Sequence, residues 1–254
     1  MATAGPLRNQ SLLSFPASVA QLMNRFYPAY PCHAKNGTRA FYGWIGRYIN
    51  AHSVVLNLGA GAAAREPERN LRGQAAVVIG ADIDPVVLDN HQLDQAYVIQ
   101  ADQPLPFDSA SFDLVLSDFV LEHLAHPLFY LREAARVLKP GGNFFFRTPN
   151  RYHYVGLIAR LSGQRVHRLI ANRVRCLTDA PEPWPTFYRA NSRHQLRDLA
   201  KAAGFGALEL QMWEGEPSYL VFSPVAFRLG VAYERLVTHW VPALRANLLG
   251  RCVR

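Results

Sequence analysis

One stretch of this 254-residue chain decides its fold: Ser53-Val54-Val55-Leu56-Asn57-Leu58-Gly59-Ala60-Gly61-Ala62-Ala63-Ala64-Arg65. Its apolar, β-branched beginning predicts a strand that is buried on both faces. Gly59 and Gly61 predict a turn whose backbone can approach a ligand, because glycine has no Cβ atom. The three alanines that follow favour a helix. A glycine turn between a strand and a helix is a frequent nucleotide cradle and also a frequent plain turn, so residues at fixed distances must decide between the two.

The bulk composition predicts one main domain. Half of the residues are hydrophobic and 18% are charged, which is enough apolar material for a large core. The three cysteines lie far apart and match no metal-ligand spacing, so the sequence supports neither a disulfide framework nor a zinc site. The longest uncharged stretches fall well short of the ~20 residues that a membrane span needs. We therefore expect a cytoplasmic protein without a bound metal.

The net charge of +8 is unevenly distributed along the chain. Residues 1–65 carry a net +6, residues 66–150 a net −6, and residues 151–254 a net +8. Basic ends around an acidic middle indicate that the ends meet something anionic, such as nucleic acid, a phosphorylated small molecule or a lipid surface. An arginine-rich face in contact with water is the simpler alternative.

Apolar runs alternate with helical segments through the middle of the chain, which predicts a parallel sheet covered on both sides. After the opening strand, we expect strands at 75–81, 96–101, 112–117 and 143–148, and helices at 86–93 and 126–138. A helix at 191–203 and apolar segments at 205–213 and 218–223 follow.

The flanks of this pattern differ from it in composition. Residues 17–26 and 39–49 have helical periodicity and predict an N-terminal helical lid over residues 1–50. Residues 51–223 form the predicted main domain, with a basic, proline-bearing insertion at about 150–190 on its acceptor side. Residues 224–254 are aromatic and basic and predict a C-terminal helical extension. Such a stretch serves a homodimer contact, a peripheral membrane contact or the cover of its own domain.

Asp82 gives the glycine turn its first support. It lies 23 residues after Gly59, at the end of the second predicted strand. In a doubly wound sheet this position lies beside the glycine turn, where a carboxylate can accept hydrogen bonds from both ribose hydroxyls of an adenosine. The alternative role, capping the next helix, suits Asp84 before Pro85 better.

Further motifs follow the third and fourth strands in a fixed order. They are Ala101-Asp102-Gln103, Leu105-Pro106-Phe107, Ser117-Asp118, Glu122-His123 and the run from Arg136 to Gly142. Together with the glycine turn and Asp82, this set strongly resembles the class I S-adenosylmethionine-dependent methyltransferases, particularly their small-molecule branch. The resemblance is close over residues 50–150 and loose over 185–223.

The resemblance implies an α/β fold: a Rossmann-like, doubly wound, seven-stranded, mostly parallel sheet with an antiparallel last strand. It also implies S-adenosylmethionine as the cofactor, with the methionine part above Gly59 and Gly61, the ribose on Asp82 and the adenine amino group on Asp102. The implied cofactor residues are Asn57, Gly59, Ala60, Gly61, Asp82, Ile83, Asp102, Gln103, Ser117 and Asp118. Asn57 departs from the Asp or Glu usual in the family and keeps hydrogen bonding without the charge.

Methyl transfer to a hydroxyl needs alignment and a general base. His123 is the candidate catalytic residue, because it follows the fourth strand and imidazole titrates in the useful range. Packing or capping of the next helix by Glu122-His123 is the alternative. Candidate acceptor contacts are His153, Tyr188, Arg165 and Arg168. Arginine forks suit phosphate or carboxylate, although core or solvent-facing roles also explain these four residues.

We therefore predict a methyltransferase that acts on a small-molecule or lipid-like acceptor, anionic if the arginines bind it, with oxygen favoured as the methylated atom. A nucleic-acid methyltransferase is a second candidate, although the chain has no recognisable RNA-binding module. A noncatalytic cofactor-binding partner is a third, because of Asn57. An NAD-binding protein would share Gly59, Gly61 and Asp82 but not the later motifs.

Overall fold

The structure is a computed structural model that describes residues 17–28, 36–161 and 184–254. Its centre is a seven-stranded sheet of order β3-β2-β1-β4-β5-β7-β6. The strands are, in chain order, β1 (Val54–Leu58), β2 (Val77–Asp82), β3 (Gln95–Val98), β4 (Phe112–Asp118), β5 (Leu138–Pro149), β6 (Ala207–Trp213) and β7 (Asn247–Val253).

Helices flank this sheet. They are α1 (Ala17–Phe26), α2 (Gly37–Ile45), α3 (Pro127–Val137), α4 (Tyr154–Leu161), α5 (Arg193–Ala202) and α6 (Pro224–His239). Short 3₁₀ turns connect other elements at Pro67–Arg69, Pro85–Asp89, Leu121–His123, Ser218–Leu220 and Pro242–Leu244.

The first five strands pair in parallel, and β7 pairs antiparallel with both β5 and β6. This arrangement confirms the predicted fold class, an α/β Rossmann-like sheet that is mostly parallel. The central strands β1 and β4 are largely buried on both faces, whereas the edge strand β3 is mostly exposed.

Two apolar clusters sandwich the sheet. On one face α3 and α5 pack against β4 and β5, where Phe144 and Phe146 are almost fully buried. On the other face α2 brings Phe41 and Trp44 against Phe145, and the Trp44 and Phe145 rings meet edge to face at 5.2 Å. Aromatic burial of this kind contributes strongly to the stability of a core.

The helix predicted after the glycine turn is absent. Residues 59–66 run in turns and bends up to the 3₁₀ turn Pro67–Arg69. Pro67 disfavours helical geometry in Glu66, whose ψ is 118°. The alanine run is then too short to offset the cost of starting a helix.

The predicted helical extension over residues 224–254 is wrong in its second half. α6 ends at His239, and residues 247–253 form β7 inside the sheet. Leu248 and Leu249 are buried on opposite faces of that strand. Gly250 leaves room for the Phe146 ring, which a Cβ atom would meet at 2.0 Å. The C-terminal residues therefore belong to the main domain.

The N-terminal helices occupy two different places. α2 is a core helix on the sheet, whereas α1 packs against α6 through a cluster that includes Met23, Tyr27 and Phe227. The lid role of residues 1–50 stays a prediction. No helix in the described ranges is long and apolar enough to cross a membrane, and those ranges contain no cluster of residues suited to a metal ion.

Candidate active site

The glycine turn and Asp82 meet at the carboxyl ends of β1 and β2. The Gly61 backbone N–H donates to Asp82 Oδ2 at 2.8 Å, and the Asp84 N–H donates to Asp82 Oδ1 at 2.9 Å. Each carboxylate oxygen keeps acceptor capacity for a further donor. Gly61 has φ +54°, and a Cβ atom there would meet only Asp82 Oδ2, at 3.9 Å, so this side of the turn is open.

Two amide side chains hold the turn in the place of a helix. Asn90 Nδ2 donates to the Gly61 carbonyl at 3.0 Å, and Gln92 exchanges two hydrogen bonds with the backbone of Ala64. These contacts satisfy backbone groups that a helix would otherwise pair. Sequence reasoning missed both residues, and the only signal for them was the closely spaced pair of amides between β2 and β3.

The loops after β2 and β3 form an exposed, partly apolar edge. Ile83 is 41% exposed beside Asp82, and Asp102 and Gln103 are exposed beyond the end of β3. Asp102 has φ +56°, a left-handed conformation that Asp tolerates better than most residues. Its carboxylate faces solvent, with His126 Nε2 at 4.0 Å. The structure therefore brings the predicted ribose and adenine residues to one edge.

An ion pair on α3 fixes the connector that contains Leu105 and Phe107. Arg136 donates to the carbonyls of both residues, and Glu133 accepts from the Leu105 N–H at 2.7 Å. Glu133 and Arg136 also bond to each other at 2.8 Å, and the Arg136 guanidinium lowers the pKa of the Glu133 carboxyl. Both residues serve to position this loop.

The β4 side of the turn is filled. Gly59 has φ +86°, and a Cβ atom there would lie 2.2 Å from Val120 Cγ2. Glycine at this position thus permits close packing of the loop after β4. Phe119, also left-handed at φ +59°, begins that loop. Gly59 serves this contact in the structure, and only the Gly61 side offers the open wall expected from the sequence.

Ser117 is fully buried and does not line an open surface. Its hydroxyl is hydrogen bonded to the Tyr130 hydroxyl at 2.8 Å, and Tyr130 donates to the Leu58 carbonyl at 3.2 Å. Burial raises the pKa of Tyr130 above its ordinary value. The Ser117 side chain therefore points into the α3 face of the sheet, and its cofactor contact stays a prediction.

Asp118 points to the opposite face, into a buried ion cluster. Arg147, directly across on β5, donates to both carboxylate oxygens at 2.6 and 2.8 Å. Arg69 NH2 lies 3.2 Å from Asp118 Oδ2, and the Tyr42 hydroxyl donates to the same oxygen at 3.3 Å. The Arg147 guanidinium also stacks on the Phe119 ring at 4.4 Å. Pairing of this quality is what makes a buried carboxylate tolerable.

Asn57 lies on the same face as this cluster. It lines a small polar cavity together with Tyr42, Arg69 and Asn90, directly beneath Ala60. On this face of the sheet, the carboxylate is therefore Asp118 on β4, whereas β1 carries the neutral amide of Asn57. Asn57 and Ala60 both line this cavity, and their cofactor contacts stay a prediction.

Glu122 and His123 form the 3₁₀ turn after β4, braced by the chain that returns at residues 185–188. The Phe187 and Tyr188 N–H groups donate to the Glu122 carbonyl at 2.8 and 3.2 Å. His123 Nδ1 lies 2.9 Å from the Pro185 carbonyl oxygen. A carbonyl only accepts, so Nδ1 carries a proton, and in the neutral form of the ring Nε2 has the lone pair. The imidazole is about one-third exposed.

The Glu122 carboxyl is buried next to this imidazole. Oε1 lies 3.9 Å from His123 Nε2, and Oε2 accepts from the Thr148 hydroxyl at 3.2 Å. Thr148 in turn accepts from Asn191 Nδ2 at 2.7 Å. Burial raises the pKa of Glu122 to about 7. A titratable pair with one group buried is typical of functional sites, although structural networks also have this property.

Of the four predicted acceptor contacts, the structure describes His153 and Tyr188. His153 is buried against the Tyr154 and Tyr233 rings, and burial lowers its pKa to about 4. Its Nε2 lies 3.7 Å from Glu214 Oε1. Two tyrosine rings and Glu214 enclose the His153 ring, and its acceptor contact stays a prediction. Tyr188, half-buried with φ +52°, does return beside Glu122. Arg165 and Arg168 lie outside the described residues.

The residues present fit an S-adenosyl group at the adenosine end. A carboxylate with free acceptor capacity, an open glycine wall and an exposed apolar residue meet at one edge, in Asp82, Gly61 and Ile83. At the other end of the turn, Val120 and the Asp118 cluster occupy the space.

Comparisons with known proteins identify related methyltransferases. Residues 56–146 match a family model described as a methyltransferase domain. A ubiquinone biosynthesis O-methyltransferase of Xanthomonas axonopodis pv. citri is 30% identical over 194 residues, which are 71% of this chain and 80% of the relative. The enzyme of the same name from Pseudomonas syringae pv. tomato is 32% identical over 149 residues, 55% of this chain and 62% of the relative.

A solved structure shares the fold. It is a SAM-dependent methyltransferase of Thermotoga maritima, described as a possible histamine N-methyltransferase, with a TM-score of 0.55 and 15% identity. The match covers 93% of this chain and 95% of the other. At that identity the likeness concerns the fold alone.

Proposed function

Because the chain belongs to the class I S-adenosylmethionine-dependent methyltransferases, we propose that it methylates a hydroxyl group of a small-molecule acceptor. Because the chain belongs to this family, an NAD-binding protein and a noncatalytic partner are no longer candidates. The observation that carries the choice of oxygen is the His123 imidazole, whose Nδ1 proton is held by a carbonyl and whose Nε2 is free to accept a proton.

The cofactor, when bound, supplies an electrophilic methyl group on a sulfonium centre. Asp82 would accept from the ribose hydroxyls, Asp102 from the adenine amino group, and Ile83 would pack on the adenosine. The Gly61 wall would leave the backbone room to approach the ligand. The chain's own task is then alignment of the acceptor and removal of its proton.

His123 is the proposed general base. The fixed Nδ1 proton orients the ring, so that Nε2 would take the proton of the acceptor hydroxyl. When the Glu122 carboxyl is ionised, its Oε1 atom, 3.9 Å from Nε2, stabilises the imidazolium. Residues 185–188 brace this turn, because the Pro185 carbonyl holds the His123 ring and the Phe187 and Tyr188 N–H groups donate to the Glu122 backbone carbonyl.

The names of the relatives support a hydroxyl acceptor. Both are O-methyltransferases of ubiquinone biosynthesis. Charge alone supports an anionic or lipid-like acceptor, because residues 151–254 of this chain are net basic. The same names favour a small-molecule acceptor over a nucleic-acid acceptor.

The test is the variant His123→Ala, assayed with methyl-labelled S-adenosylmethionine and a panel of hydroxylated aromatic compounds. We expect turnover to fall on the order of 100-fold, with the cofactor dissociation constant unchanged. His194→Ala is the matched control, because His194 is an exposed histidine on α5 that is paired with Asp198 at 2.8 Å. Retained turnover in folded His123→Ala protein would remove the base role.

A further inference from the structure

α6 has an apolar face that no other described part of the chain covers. Val225, Leu229, Leu236 and Trp240 are 65%, 67%, 53% and 80% exposed. At about 100° of turn per residue, these four side chains fall within roughly 60° of arc on the helix surface. Ala232 is exposed on the same stripe. We name these five residues the α6 stripe.

The core does not need the α6 stripe. α6 buries its opposite side, where Phe227, Val231 and Val237 are at most 4% exposed and pack towards α1 and the domain. A helix that covers only its own domain carries polar residues on its outer face. Here the outer face is apolar along four turns, which marks an interaction surface.

The charge around the α6 stripe has one sign. Arg228, Arg235 and His239 are exposed and lie along one edge of it, by the same helical geometry. Arg25 at the end of α1 is exposed as well. The one carboxylate of α6, Glu234, is 2% exposed and accepts from the Tyr27 hydroxyl at 3.2 Å. No acidic side chain of α1 or α6 therefore faces outwards.

We propose that the α6 stripe docks the protein on an anionic lipid surface. Leucine, valine and tryptophan enter the boundary between headgroups and acyl chains, while the arginines along the edge meet lipid phosphates. Trp240, at the C-terminal end of the helix, has the amphipathic ring that is enriched at such interfaces. The cationic edge favours an anionic membrane over a second copy of this chain, which would present the same positive charge.

α6 also contacts the acceptor side of the domain. The Tyr233 ring packs edge to face on the Tyr154 ring at 4.9 Å, and Tyr154 begins α4. Docking through α6 therefore places the start of α4 near the lipid surface. This inference does not depend on the methylated atom, and its test measures no methyl transfer.

The experiment is vesicle flotation of the full chain. We compare vesicles of phosphatidylcholine with vesicles of phosphatidylcholine and phosphatidylglycerol, at low and at raised salt. We expect binding to the mixed vesicles, together with a blue shift of tryptophan emission that Trp240→Phe removes. Raised salt should weaken this binding, because it screens the arginines.

Two double variants separate the apolar and the charged contributions. Leu229→Ser with Leu236→Ser should weaken binding to the mixed vesicles at least 10-fold. Arg228→Gln with Arg235→Gln should weaken it about 10-fold or more, since each arginine near such a surface contributes about fivefold. The matched control is Leu88→Ser, because Leu88 on the 3₁₀ turn Pro85–Asp89 is similarly exposed (60%). This variant should bind as the wild type does.

Three results would overturn the proposal. They are no binding to mixed vesicles by a protein with a native circular dichroism spectrum, equal loss in Leu88→Ser and in the stripe variants, and a dimer in sedimentation velocity that Leu229→Ser with Leu236→Ser dissociates. The last result would assign the α6 stripe to a second copy of the chain.

Discussion

The two sides of the glycine turn differ in how they are packed. Towards β2, Gly61 is open and Asp82 holds the turn through backbone hydrogen bonds. Towards β4, Val120 fills the space above Gly59, and Asp118 is locked to Arg147. The two glycines are two residues apart and both have positive φ. Only one of them leaves room for a ligand.

This difference teaches that a glycine motif has two physical uses. An absent Cβ admits a ligand where nothing else packs, and it admits a neighbouring loop where the chain closes on itself. The adenosine end of the edge is preformed. A ligand that extends across Gly59 must displace Val120, so the loop at 119–120 is the part of the site that has to move.

Substitution of the two glycines gives the largest expected effect. Gly59→Ala should lower the free energy of unfolding by about 4 kcal/mol, from the left-handed backbone and the clash with Val120 together. Gly61→Ala should cost about 1 kcal/mol, because only its backbone conformation is strained. Urea denaturation measures both values.

The double variant Gly59→Ala with Val120→Ala sharpens this comparison. It removes the methyl group that a new Cβ would meet at 2.2 Å. We expect it to recover about 1–2 kcal/mol relative to the sum of the two single variants. Additive effects would mean that Val120 is not the partner of Gly59.

A second test concerns the buried carboxyl on the packed side. Burial raises the pKa of Glu122 from 4.5 to about 7, so the folded protein holds a proton that the unfolded chain has released. This contribution to stability is complete below pH 4.5 and is lost as the pH rises through about 7. The Glu122→Gln variant has no carboxyl to ionise at this position, so it lacks this pH-dependent loss of stability. Its unfolding free energy should therefore rise relative to the wild type by about 3 kcal/mol across this window.

Urea denaturation at a series of pH values measures this difference. His153, whose lowered pKa acts in the opposite direction, contributes equally to both proteins and cancels. Glu133→Gln is the control, since Arg136 lowers the pKa of Glu133 and the sign of the difference should reverse. A pH-independent difference for Glu122→Gln would show that Glu122 is ionised in the folded protein.

The smallest effect is expected on the open side. Asp82→Ala should weaken binding of S-adenosylhomocysteine by about 2 kcal/mol, the scale of hydrogen bonds to a charged acceptor. Asp84→Ala is the matched control, because Asp84 caps the 3₁₀ turn after β2 through the Val86 N–H. Calorimetric titration should show little change for Asp84→Ala. Unchanged affinity in folded Asp82→Ala protein would refute the ribose assignment.

The sequence predicted the fold where apolar periodicity was unambiguous. β1, β2, β4 and α3 lie within a few residues of their predicted positions. The helix after Gly61 could not be excluded from alanine propensity alone, because Pro67 and the side chains of Asn90 and Gln92 decide that segment. β7 was mistaken for helix because its small and charged residues, Gly250 and Arg251, mask the strand pattern.

For the candidate site, the sequence predicted residue types better than residue contacts. Asp82 ends β2 as expected, because topology places it there, whereas Asp102 lies in the loop after β3, which ends at Val98 rather than at residue 101. Ser117 and Asp118 were assigned by order along the chain. Their contacts with Tyr130 and Arg147 depend on which face of the sheet each side chain points to. Such pairings join distant parts of the chain and carry no local signal.

The place of β7 has a consequence for the order in which the protein can be made. β6 has no neighbour in the sheet except β7, and β7 also covers the outer edge of β5. During synthesis on the ribosome, the outer edge of β5 therefore stays unpaired while more than 90 further residues are made. That strand carries Phe144, Phe145 and Phe146. Unpaired apolar edges of this kind recruit other strands. The newly made chain thus passes through a period of aggregation risk that ends only when residues 247–253 arrive.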